Sequence, residues 1–150
     1  MAFLEKADFN TVIRDYQLEA IIDGDDTIVA TAIEIAIDEV TNIFTPNDMN
    51  TWKDGRPIYN IVAVFAQSGA DRNAFILVHC KIITLWYLVL LCNTGLEYNE
   101  IKDRYDRSIQ TLTDLARGKT NSGTIPKIDQ PAPTDEVPWR SGSRRKFNHE

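Results

Sequence analysis

From Ala74 to Cys92 apolar residues fill nearly every position of the chain, and no single stripe emerges. A helix that is apolar all round must be buried on most of its faces. The run is also rich in Ile, Val and aromatic residues, as a strand would be. Strands are usually about 4–8 residues long, however, and this segment is far longer. Asp71 stands where an N-cap belongs and Gly95 where a helix stops. His79 and Lys81 interrupt the run, and the uninterrupted part beginning at Ile82 is short of the roughly 20 apolar residues of a membrane span. The pattern predicts the central helix of a soluble bundle, with Lys81 stretching its stem to reach the surface, and no membrane partner.

The stretch from Leu96 to Gly118 has the opposite character. Tyr98, Ile101, Tyr105, Ile109, Leu112 and Leu115 form one continuous stripe, and Glu100, Asp103, Asp106, Arg107 and Gln110 lie outside it. A short turn at Thr94-Gly95 makes this amphipathic helix antiparallel to the apolar one. Upstream, a helix from about Thr27 to Phe44 turns Ile33, Ala36, Ile37, Val40 and Phe44 inward and Glu34, Asp38 and Glu39 outward. Ile28, Ala32 and Ile35 widen its apolar arc. Thr45-Pro46 ends it, because the residue before a proline avoids helical geometry. Before it, Asp23-Gly24-Asp25-Asp26 reads as a turn whose carboxylates cap the helix. That turn lacks the alternating ligands of a calcium loop.

In the N-terminal segment, Phe9, Val12, Ile13 and Tyr16 are spaced for one helix face. Ile58 to Ala66 is short and apolar, and the Asn60 cap favours one or two helical turns over a strand. The polar loop from Asn47 to Pro57 carries Trp52, which is either a contact residue or folded back onto the core. The expected fold is thus all-α: a small helical bundle with a central apolar helix, an antiparallel amphipathic partner helix and a long extended C-terminal arm. The helical domain covers 1–118.

From Lys119 to Glu150 the composition changes. Gly123, Pro126, Pro131, Pro133 and Pro138 oppose regular helix. Such a segment is expected to be disordered alone, or extended when bound. Ile125, Ile128, Val137, Trp139 and Phe147 are apolar residues set along it. A free spacer has little use for Trp139 and Phe147, whereas an arm that adds to a partner and fills pockets would use them. Charge points the same way. The chain's net charge is −6, but residues 137–150 hold Arg140, Arg144, Arg145 and Lys146 against Glu150, a net of +3, which leaves −9 on the rest. An acidic body with a basic end is arranged for docking onto another surface or onto copies of itself; the plainer reading is a solvated tail.

Candidate chemistry is sparse. There is no glycine-rich phosphate loop, no Cys/His metal spacing and no nucleophile elbow in the sequence. No catalytic, metal or cofactor residues are expected. His79 reads as a satisfied core residue, and His149 stands beside the last residue. Cys80 and Cys92 are more than three helical turns apart, too far to bridge each other within a helix, which suits free thiols in a reducing compartment. The charge along Met1 to Ala20 argues against a signal peptide. Arg144-Arg145-Lys146 with Trp139 and Phe147 could touch passing DNA, although the acidic body opposes sequence-specific binding.

A series of short pieces then aligns in order. It begins with Phe3-Leu4 and Asp8-Phe9, the acidic Asp23-Gly24-Asp25-Asp26 turn before an Ala/Ile helix, Ile61 to Phe65, Ser68-Gly69 and Asp71-Arg72-Asn73. Next come Trp86-Tyr87-Leu88 in the apolar helix, Arg104-Tyr105-Asp106-Arg107-Ser108-Ile109, Ala116-Arg117-Gly118-Lys119, and Arg140-Ser141-Gly142-Ser143 with Lys146. In this order, over most of its length, the chain resembles the Mu-type phage family of small head–tail connector proteins, also called head-completion or adaptor proteins. The resemblance implies a structural virion protein, assembled in the host cytoplasm. Such adaptors form a ring, commonly of twelve copies (a dodecamer), beneath the portal protein. They join it to tail or neck proteins and line the DNA exit channel. The arm would then dock onto the portal or a neighbouring subunit. Two other readings stay open: a monomeric helical binding module whose basic tail docks an acidic partner, and a tail-terminator or other neck protein.

Overall fold

The computed structural model describes residues 2–45, 57–92 and 98–129. It is an all-α bundle: α1 (Asp15–Ile22), α2 (Asp26–Phe44), α3 (Ile61–Phe65), α4 (Ala74–Cys92) and α5 (Tyr98–Ala116), with 3-10 turns at Lys6–Thr11 and Gly69–Asp71. The apolar α4 is the centre, packing on α2, α5 and α1, while α2 also meets α5. Ile76, Cys80, Ile83 and Leu88 of α4 are sealed from solvent, as are Ala32, Ala36 and Val40 of α2 and Leu112 of α5. Each large aliphatic in that set contributes about 1.5–3 kcal/mol by burial, so the three-helix contact dominates stability.

The helix ends follow local chemistry. Asp23 adopts the left-handed conformation (φ 50°) and Gly24 follows it (φ 78°), closing α1. Asp25 caps α2, its carboxylate accepting from the Thr27 backbone N–H at 2.9 Å and the Thr27 hydroxyl at 2.6 Å. Thr45 is extended, ending α2 before Pro46. Asn60 caps α3 through the Ala63 N–H. At the start of α4 the cap is Asn73, which accepts from the Ile76 N–H at 3.1 Å. Asp71, which the sequence nominates, instead lies in the preceding 3-10 turn. Asn and Asp are near-equal caps, and the turn decides which one arrives.

The N-terminal segment is not one helix. Arg14 is extended (ψ 143°) and separates the 3-10 turn from α1. The expected face therefore divides: Phe9 is fully buried and Tyr16 is 73% exposed. This segment is tied down by Arg72, whose guanidinium donates to both oxygens of Asp8 at 2.6 and 3.0 Å and to the Phe3 carbonyl. That two-pronged contact holds the Asp8 carboxyl below the usual carboxylate range. Lys81 differs from expectation too. Its side chain does not reach the surface but is buried, with Nζ donating to the Thr11 hydroxyl at 3.1 Å. The N-terminal turn lies over the path its stem would have taken.

Among the described residues α4 is the one helix long and apolar enough to cross a membrane, and half of its most apolar window is buried inside the fold. Phe75 and Val78 near its start and Leu90 and Leu91 at its end are between 39% and 49% exposed, while no residue from His79 to Val89 is exposed, so the expectation that α4 is buried on most of its faces holds except near its ends.

Candidate functional site

Residues 119–129 do not form a free arm. Gly118 takes a positive φ (75°), and the Lys119 N–H returns to the Asp114 carbonyl, closing α5. The chain then runs back along the body. The Tyr59 hydroxyl donates to Asn121 Oδ1 at 3.0 Å and accepts from the Ser122 N–H at 2.9 Å. Asn73 Nδ2 donates to the Thr124 carbonyl. Ile125 is buried in the core, 3% exposed. The Asn60 N–H donates to the Pro126 carbonyl, and the Ile128 N–H donates to the Ile58 carbonyl, around an antiparallel bridge of Tyr59 with Lys127. Pro126 lacks an N–H, but this pairing needs only its carbonyl. Two corrections result. The body extends to at least residue 129, not 118, and Ile125 is a core residue, not an arm contact. Ile128, 49% exposed, remains a surface residue. Trp52, Val137, Trp139, Arg140, Arg144, Arg145, Lys146 and Phe147 lie outside the described residues.

What the sequence missed is a polar centre where α2, α4 and α5 meet. The Tyr105 hydroxyl of α5 donates to Glu39 Oε1 of α2 at 2.6 Å. The other carboxylate oxygen, Oε2, is occluded and has no hydrogen-bond partner. Burial and the adjacent Glu39 carboxylate both raise the Tyr87 and Tyr105 phenols above their ordinary value. Trp86 stacks on Tyr105 with ring centres 5.3 Å apart and leans on Tyr98 at 5.2 Å; Tyr87 meets Tyr105 edge-on. The charge pattern puts Glu39 on the solvent side because its immediate neighbour Asp38 is there. A signal to the contrary existed, since Ile35, Glu39 and Ile43 fall at i, i+4 and i+8, so Glu39 interrupts an apolar row.

The other reactive side chains are poorly placed for chemistry. Burial pushes the Cys80 thiol up to about 12, so it holds its proton and is a poor nucleophile. His79 packs its ring on Phe75 at 4.6 Å, and burial lowers its pKa. Its Nδ1 has no partner, so His79 is not the satisfied core residue expected. Among the described residues no group of three or more His, Cys, Asp or Glu side chains could hold a metal ion.

No protein-family model, curated protein or solved structure matches this chain.

Proposed function

We propose that this chain is a structural adaptor that assembles with copies of itself into a ring, joining a portal to a tail at the neck of a phage virion. The observation that carries the self-association is the exposure of apolar residues at the two ends of α4. The most apolar helix of the body leaves Phe75, Val78, Leu90 and Leu91 substantially exposed, on a chain whose first 136 residues carry −9. Apolar side chains exposed on an otherwise charged surface are candidate contacts for another subunit. The ordered pieces from Phe3-Leu4 to Arg140-Ser141-Gly142-Ser143, which resemble the head–tail connectors, supply the identity of the assembly. In that setting the acidic body suits a wall that DNA passes without being gripped, since like charges repel. The residues past 129, with Trp139, the basic cluster and Phe147, are the part proposed to reach the portal or the next subunit.

The test is a mass measurement on the full-length chain, alone and mixed with the portal protein of the same phage. The expected product is a portal-bound ring of many copies. A chain that stays monomeric under both conditions would exclude the ring and favour the monomeric binding module.

A further inference from the structure

The C-terminal half of α2 carries a groove that the core does not fill. Its volume is about 530 Å³, and Ile35, Asp38, Glu39, Asn42, Ile43 and Tyr87 line it. Two carboxylates and an amide above isoleucine side chains suit a particular visitor: a cationic side chain with an apolar stem. The carboxylates meet the charge, the isoleucines cover the stem, and the Tyr87 ring offers a face to a guanidinium or ammonium. Glu39 is fixed in position by the Tyr105 hydroxyl, and Asp38 beside it is exposed.

We infer that this groove receives the basic terminus of a neighbouring copy, Arg140 to Phe147. This deepens the ring reading and rests on it. Charge complementarity is the first argument. Residues 137–150 carry +3, the remaining residues −9, and the groove presents Asp38 and Glu39 together. Composition is the second, because Arg144, Arg145 and Lys146 stand between Trp139 and Phe147. The cations match the groove's carboxylates, and the aromatics match its isoleucines.

Reach allows the neighbour. The groove lies on the helix whose last residue, Phe44, packs edge-on against Tyr59 at 5.8 Å. Tyr59 in turn pairs with Lys127, so the chain leaves residue 129 at the same end of α2. Residues 130–139 include three prolines. Proline-rich chain prefers an extended form that advances about 3.1 Å per residue, so these ten residues would span roughly 30 Å. That is about the width of a small domain. That length suffices to cross to a neighbouring body, and the choice of the neighbour over the home groove rests on the ring reading.

Disulfide trapping between two full-length populations tests this. One carries Asn42→Cys at the exposed rim of the groove, the other Ser143→Cys, both in a Cys92→Ser background; Cys80 is sealed in the core. Mild oxidation of the mixture at low salt is expected to give a cross-chain disulfide joining the two populations. Its yield should fall about tenfold in 0.5 M salt, where exposed charges are screened, and comparably when the groove copy also carries Glu39→Gln. If Glu39→Gln does not fold, Asp38→Asn, an exposed position, takes its place. No cross-chain product at low salt would overturn the inference. So would a doubly substituted chain that closes on itself at high dilution and leaves none between copies. A ring that assembles without this disulfide would defeat the groove assignment alone. A disulfide formed in a pair that never assembles on the portal would defeat the ring alone.

Discussion

Helices α4 and α5 are both nineteen residues long and lie against each other, yet they are built on opposite plans. On α5 the buried residues Ile101, Ser108, Leu112 and Leu115 lie along one narrow face. Its outer side is charged and laced by Lys102–Asp106 and Arg104–Glu100 pairs. On α4 nine residues are buried and the exposed ones are also apolar. Polarity therefore orients α5 before any neighbour is present, while α4 acquires an inside and an outside only from what packs on it. An uncovered side of α5 is ordinary protein surface. Apolar residues exposed near the two ends of α4 are sticky, which is why the self-association reading rests there.

The comparison can be broken at its strongest point. Leu112 is fully buried, so Leu112→Asp places an unpaired charge in the three-helix contact, at a cost of several kcal/mol. It should leave the chain unfolded by circular dichroism at room temperature. A folded Leu112→Asp variant would mean that α5 is not held by this face.

A smaller effect probes how α4 is anchored at its start. Asn73, its cap, is tied to Thr124, and Ile125 follows in the core. Ile125→Ala should lower stability by about 2–4 kcal/mol in denaturant melts. A loss under about 0.5 kcal/mol would restore the view that everything past 118 is a free arm.

The third effect depends on pH. Burial holds the His79 imidazole below its ordinary 6.5, so as pH falls past about 6.5 the unfolded chain takes up this proton before the folded one does. Stability is unaffected by this group above that range and declines below it, down to the folded-state pKa. Thermal melts between pH 7.5 and pH 5 should show a loss that His79→Leu reduces; identical pH slopes would refute it. The smallest effects contrast the two outer faces. Asp106→Ala on α5 and Val78→Glu on α4 should each change stability by less than about 1 kcal/mol. Val78→Glu alone should also weaken self-association in sedimentation measurements.

Much of this was legible in local patterns. The α5 stripe, the Asp25 and Asn60 caps and the stop at Thr45 depend on residues within a turn or two of each other, so the sequence states them directly. Most misreadings involve distant partners, whereas the cap at Asn73 and the break at Arg14 that exposes Tyr16 are local. Lys81 is covered because its Nζ bonds Thr11 of the N-terminal turn. Ile125 is buried because Tyr59 and Asn60 supply hydrogen bonds to its neighbours. Glu39 belongs to a polar centre only because Tyr105 arrives from a helix 66 positions later.

The sequence by itself determined that the chain is helical, which helix would be central, and that charge divides between an acidic body and a basic end. Periodicity, capping chemistry and net charge are properties of neighbouring residues or of sums over them. The tertiary structure decided which residues of the featureless α4 remain exposed, that the body reaches past α5, and that a groove with a fixed carboxylate forms on α2. Those depend on which surfaces meet, and an apolar run without a stripe carries no instruction about that.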